Sequence, residues 1–321
     1  MPVAGAELTC YFLIISIIVE DMVGPQVHLP RNPAVAGVFY PGDAGACRAQ
    51  AAACLKSPIP PLPPSGAWVG GIAPHAGWIC SGAIAGQTIA SLAARAPDRP
   101  KLDLIVVFGA VHTPLPLDCA ALDSHDAWSL PSGNSTLDCR ITNLLRQSSL
   151  FVSAEQFHAR EHAIEVEMPL LQLAFPGIAI LPVEVPAIEA AAAIGTETAR
   201  QIAAAGLEAV YLASTDFTHY GPNYHFTPAG VGIRAMSWAK DNDCRLLDLI
   251  TRLEVDQIIP EVRGHLNACG AGAITALLAA CRHHGATAAR VLTHATSYET
   301  LAQVAPQAPN NSVGYASILV A

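Results

Sequence analysis

Short, wholly apolar runs rich in β-branched residues alternate along this chain with longer stretches of helical composition, and that alternation restricts the fold more than any other feature. Leu104 to Phe108 (LIVVF) reads as a strand covered on both faces, because a half-exposed strand would alternate polar with apolar side chains. Trp68 to Ala73, Ile178 to Val185, Ala209 to Ala213, Ala289 to Thr293 and Val313 to Val320 repeat the pattern. The stretches between them read as helices: one running to Ala94 with Ser81 as its cap, one around Glu161 to Ala174, one over Ile188 to Ala205, and one over Gly270 to His284. Asn267 is placed to cap the last, and Gly285 to end it. Strands separated by helices of this length predict an α/β fold, an α/β/α sandwich around a mixed, largely parallel sheet. Asp118 to Asp138 reads as an antiparallel hairpin at the sheet edge, turning near Pro131-Ser132-Gly133-Asn134. No internal repeat and no Gly/Ser linker divides the chain, so residues 25–321 read as a single domain.

Residues 1–24 read as an N-terminal extension. Cys10 to Val19 is apolar, but it is far shorter than the ~20 residues needed to span a bilayer, so no membrane association is expected. Met1 to Thr9 carries Glu7 and no Lys or Arg, which argues against a secretory signal. The extension is either an over-extended start preceding Met22 or an extra element packed on the domain. A net charge of −9 and the lack of a basic run exclude nucleic acid as a partner, since that affinity comes from Lys and Arg on phosphates. Nine scattered cysteines without a CxxC pair point to reduced thiols and a cytoplasmic location.

Chemistry concentrates where strands end. His75 follows the first run in Ala73-Pro74-His75-Ala76-Gly77, His112 follows the second in Gly109-Ala110-Val111-His112, and Asp216 and His219 follow the run that ends at Ala213. Ligands of open α/β sheets bind outside the carboxyl ends of the strands, so these residues are candidates for one site if their strands are neighbours. Cys269 sits just before the last long helix, where backbone N–H groups and the macrodipole favour a thiolate. The ordinary reading of a free cysteine, a small buried hydrophobe, is applied to Cys47, Cys54, Cys139, Cys244 and Cys281. Two imidazoles and a thiolate suit iron, copper or zinc rather than magnesium or calcium.

A competing pattern, His158-Ala159-Arg160-Glu161-His162, matches the HxxEH form of inverted zinc peptidases, with Glu161 as base. GxGxxG, GxxxxGK[ST] and GxSxG are absent, which removes support for dinucleotide binding, a P-loop or an esterase elbow.

The ordered series Asn32-Pro33-Ala34-Val35-Ala36-Gly37-Val38-Phe39-Tyr40-Pro41, Pro74-His75-Ala76-Gly77, Gly109-Ala110-Val111-His112, Glu161-His162-Ala163-Ile164-Glu165, Ser214-Thr215-Asp216-Phe217-Thr218-His219-Tyr220-Gly221 and Asn267-Ala268-Cys269-Gly270 resembles the Memo family over residues 30 to 321. Bacterial and archaeal members of that family are called AmmeMemoRadiSam system protein B. The resemblance implies a fold like that of the LigB-type class III extradiol dioxygenases. It implies iron or copper held by His75, His112 and Cys269, with Asp216 and His219 as catalytic groups lining the pocket. It also implies that Phe39 stands at the pocket mouth and that Glu161 and His162 lie around the centre. The dioxygenases use two His and one carboxylate, so Cys269 is a departure from them. A metal-dependent oxidoreductase is therefore one expectation. A non-enzymatic module that uses the same pocket for a peptide or anionic ligand is the second, and a zinc hydrolase through His158, Glu161 and His162 the third. A functional link to radical-SAM and AMMECR-like proteins is implied by the family name.

Overall fold

The computed structural model describes residues 29–113 and 118–321, so the N-terminal extension expected over residues 1–24 lies outside the described residues. The strands are β1 (Gly70–Ala73), β2 (Leu104–Gly109), β3 (Ala120–Leu122), β4 (Ala127–Trp128), β5 (Ser135–Thr136), β6 (Phe151–Ser153), β7 (Ala179–Glu184), β8 (Ala209–Ser214), β9 (His219–Tyr220), β10 (Ala289–Thr296) and β11 (Ser312–Val320). The helices are α1 (Ala44–Cys54), α2 (Trp78–Ala93), α3 (Cys139–Leu145), α4 (Glu155–His158), α5 (Met168–Ala174), α6 (Ala191–Ala204), α7 (Ile233–Thr251), α8 (Val255–His265), α9 (Ala271–His283) and α10 (Ser297–Ala302).

The main sheet runs β10-β11-β1-β8-β2-β7-β3-β6, with β9 paired to β11. Its central strands β1, β8, β2 and β7 are parallel, while β11 joins β1, and β3 joins β7, antiparallel. The sheet is thus mixed, with a parallel heart flanked by helices.

The apolar runs form the middle of the sheet because both of its faces are covered. Along β2, Leu104, Val106 and Phe108 enter one core layer and Ile105 and Val107 the other. β8 divides the same way, with Tyr211 and Ala213 against Val210 and Leu212. The first layer is closed by α6, α8 and α9, through residues such as Ile194, Ile258 and Leu277. The second is closed by α1, α2 and α5, through Cys47, Ile89 and Leu170. Each large aliphatic side chain buried this way stabilises the fold by roughly 1.5–3 kcal/mol.

Three local expectations change. Ser81 lies inside α2, where its hydroxyl donates to the Ala76 carbonyl at 3.0 Å, and Gly77 is the N-cap. Asn267 does not cap α9; its amide donates to the Asn242 carbonyl and to Glu261, and Gly270 is the N-cap. The hairpin forms, with Ala127 opposite Thr136, but as a separate two-stranded sheet, because β3 and β6 take the edge of the main one. Among the described residues no helix is long and apolar enough to cross a membrane.

Candidate metal centre

The parallel register places Ala73 beside Ser214, Ser214 beside Gly109 and Gly109 beside Glu184, one row at the carboxyl edge of β1, β8, β2 and β7. The loops leaving that row carry His75, Asp216 and His112, so the strands predicted to contribute to one site are indeed neighbours. Gly270 lets the Cys269 loop close over them: a Cβ there would lie 2.7 Å from Thr215 Cβ. The Gly270 N–H donates to Thr215 Oγ1 at 2.9 Å, and the Cys269 N–H to the Asp216 carbonyl at 3.1 Å.

Hydrogen-bond partners assign the tautomer of His75, which is 2% exposed. Ser214 Oγ lies 2.6 Å from the Ala163 carbonyl, which can only accept, so the one hydroxyl proton goes there. The 3.0 Å contact between Ser214 Oγ and His75 Nδ1 is then donated by His75, and Nε2 is left with a free lone pair. Burial, then the charges of His112, His162 and His219, push the His75 pKa well below its ordinary value, so the ring is neutral.

His112 is held differently. Its Nδ1 donates to Glu161 Oε1 at 2.8 Å, and its backbone N–H to Glu161 Oε2 at 2.6 Å. The same carboxylate accepts the backbone N–H groups of His162 and Ala163 at 2.8 and 3.1 Å. Burial opposes the charge on Glu161, but His112 and these N–H groups prevail and hold its pKa down at about 2. For His112, burial would lower the pKa, yet the Cys269 sulfur and Glu161 outweigh it and push it up to about 10. Without a metal His112 is therefore an imidazolium between two acceptors, and a metal would take the place of its Nε2 proton.

His162 completes the cluster. One ring nitrogen from each of His75, His112 and His162 lies within 4.8 Å of the others, a grouping that can hold a metal ion. The His112 and His162 rings stack at 4.6 Å, and the Phe39 ring meets His162 edge-on at 5.0 Å. Burial first, and His112 second, lower the His162 pKa. Cys269 Sγ lies 3.4 Å from His75 Nε2 and accepts the Asp216 N–H at 3.3 Å. Asp216 accepts the His75 N–H at 2.9 Å, and burial raises its pKa to about 7. His219 donates from Nδ1 to the Phe217 carbonyl at 3.1 Å, which leaves its Nε2 free, and burial keeps it neutral. The donor set fits a borderline-to-soft transition metal: imidazole nitrogens, that of His112 available once its Nε2 proton is displaced, beside a sulfur.

His162, rather than Cys269, stands with His75 and His112 in the grouping that can hold a metal; Cys269 lies outside it but against His75, and Asp216, Glu161 and Phe39 each contact one of its histidines. The residue pattern alone gave no separate signal for that role, since His162 follows no strand end.

The HxxEH reading fails on geometry. α4 ends at His158, so His158 and His162 do not share a helix. His158 is fully buried, with Nε2 on the Ala121 carbonyl at 3.2 Å, and it is absent from the histidine cluster. Glu161 is consumed as the acceptor of His112 and of three backbone N–H groups. Cys47, Cys54 and Cys281 are buried as expected, whereas Cys139 and Cys244 are exposed, on the outer faces of α3 and α7.

A family model described as "Memo-like protein" matches residues 31–319. A MEMO1 family protein of Methanococcoides burtonii is 31% identical over 298 residues, covering 90% of this chain and 99% of the relative. MEMO1 family proteins of Methanosarcina barkeri and Methanothermobacter thermautotrophicus are 31% and 32% identical, covering 90% and 83% of this chain and 99% and 93% of their own lengths.

Proposed function

The chain belongs to the Memo family, and from that premise we propose that it is a metal-binding protein in which His75, His112 and Cys269 hold iron or copper, with His162 in reach as a further ligand. The observation that carries this reading is the convergence of three imidazole rings, with the Cys269 sulfur against His75, at the carboxyl edge of the sheet. Zinc is compatible with the same donors, but a thiolate beside several imidazoles suits an ion that changes oxidation state. When bound, such an ion would supply oxygen-dependent redox chemistry, in keeping with a LigB-like, dioxygenase-related architecture.

The chain's own groups suit the remaining tasks. His219, neutral and with Nε2 free, serves as acid or base toward a substrate, and Asp216, with its pKa near neutrality, is a second proton carrier behind His75. Phe39 limits water at the His162 side. The substrate class is a small molecule or peptide, and the setting cytoplasmic, with radical-SAM and AMMECR-like proteins as functional partners.

Metal analysis after anaerobic purification tests the proposal. About one iron or copper ion per chain is expected, falling below a tenth of that in His75→Ala or His112→Ala. A Cys269→Ala protein that keeps its full metal content would remove the thiolate from the ligand set.

A further inference from the structure

The loop that carries Glu161 and His162 has no ladder of its own. Between the end of α4 at His158 and the 3-10 turn Glu165–Glu167, residues 159–164 form neither helix nor strand, yet Glu161, Ala163 and Ile164 are buried. Buried carbonyls outside regular structure need donors from elsewhere. Arg31, 2% exposed, supplies them: its guanidinium donates from Nε to the His158 carbonyl at 2.6 Å, from Nη2 to the Glu161 carbonyl at 2.6 Å and from Nη1 to Glu165 Oε2 at 2.7 Å. One planar fork thus grips the loop at three points from His158 to Glu165.

Arg31 is itself fixed. Its N–H donates to the Ala127 carbonyl at 2.9 Å, its carbonyl accepts the Ser129 N–H at 2.8 Å, and its guanidinium lies 4.1 Å from the centre of the Trp128 ring. Glu165 accepts in addition from the Ala34 and Val35 N–H groups at 2.7 and 2.9 Å and from the Tyr40 hydroxyl at 2.9 Å. The segment 31–40 is thereby laid against the loop, with the Phe39 ring on His162.

Stability does not account for this arrangement. Both members of the Arg31–Glu165 pair are buried, and a buried ion pair can often be replaced by apolar side chains without loss, because desolvation offsets the attraction. Apolar side chains cannot replace a fork that reaches two carbonyls and a carboxylate at once. The Glu161 backbone held by that fork bears the carboxylate that accepts from His112 and from the N–H groups of His162 and Ala163.

We propose that Arg31 is a positioning residue for the metal centre: by gripping the carbonyls of His158 and Glu161, its guanidinium fixes the 159–164 loop so that the Glu161 carboxylate meets His112 and the His162 ring stands beside His75 and His112. Its consequence for metal binding rests on the metal-centre reading, while its hold on the loop stands without any metal.

The experiment compares wild type with Arg31→Lys, which keeps a charge beside Glu165 but not the fork, and with Arg31→Met combined with Glu165→Gln, which removes both buried charges together. In metal-free protein, hydrogen exchange at the His112, His162 and Ala163 N–H groups should quicken by about tenfold or more in both variants, with Val106 in β2 unchanged. Copper(II)-loaded wild type should show coupling to three imidazoles in pulsed EPR, and Arg31→Lys to two, with affinity by chelator competition down about tenfold. A merely structural role would lower the amount of bound copper without changing that count. Should one variant not fold, the other decides. Unchanged exchange at the three N–H groups, or three coupled imidazoles at wild-type affinity in a folded variant, overturns the proposal, and two coupled imidazoles already in the wild type would remove His162 from the ion and overturn it likewise. Quickened exchange in a protein of which no form binds copper would instead overturn the metal reading and leave the hold on the loop intact.

Discussion

His112 leaves β2 and His75 leaves β1, on either side of β8, and the groups behind them differ in charge. Behind His112 stands an ionised carboxylate that accepts four hydrogen bonds; behind His75 stands the Ser214 hydroxyl, whose own proton goes to the Ala163 carbonyl. Both supports leave the proton on Nδ1 and aim Nε2 at the centre. They differ in what happens to the second proton. The carboxylate stabilises an imidazolium, so His112 must release a proton to ligate, whereas His75 is already neutral. One wall trades affinity at low pH for strong orientation, and the other orients without a charge.

Deleting the supports should break this symmetry. Glu161→Ala strands the His112 Nδ1–H and three backbone N–H groups in a buried site, so metal affinity should fall about 100-fold and stability by about 3–5 kcal/mol. Ser214→Ala removes one hydroxyl between neutral partners and should cost only about 1–2 kcal/mol and up to about tenfold in affinity. Chelator competition and urea unfolding measure both. Equal effects would mean that the charge behind His112 is incidental.

Acidity should sharpen the contrast. With the His112 pKa at about 10 and those of His75 and His162 lowered, raising the pH from 7 toward 9 withdraws the competing proton from His112 alone among these rings, so apparent affinity should climb about tenfold per pH unit. Ionisation of Asp216, whose pKa is about 7, acts in the same direction. Glu161→Gln weakens the hold on the imidazolium and should flatten the slope. A slope already flat in the wild type would place the neutral form of His112 in the resting protein.

A smaller effect is expected at the mouth. Phe39→Ala removes the ring edge from His162 and should change metal affinity by less than about threefold, because it leaves every donor and its hydrogen bonds in place. A loss as large as that from Ser214→Ala would make the aromatic contact part of the support.

The parallel heart of the sheet was legible because strands buried on both faces must be continuously apolar, and Leu104 to Phe108 and Ala209 to Ala213 emerge close to their predicted bounds. Their adjacency was legible only as a condition. It took the order β1-β8-β2 to bring His75, Asp216 and His112 together. The helices α7 and α8 were not drawn from the sequence, since charged residues such as Arg234, Asp241 and Arg245 on α7 dilute an apolar stripe that packing makes plain. The backing of the histidines was least visible. Ser214 is distant along the chain from His75, and a hydrogen bond between residues so far apart is a product of register rather than of local sequence.

The central claim is that Nε2 of His75 and of His112 share one ion with the Cys269 sulfur. An anaerobic crystal structure with anomalous scattering collected at the iron, copper and zinc edges tests it most directly. A single peak at about 2.0–2.3 Å from those three atoms is the predicted result. A peak bound through Nδ1, or one that sits away from His75 and His112 altogether, would contradict the account.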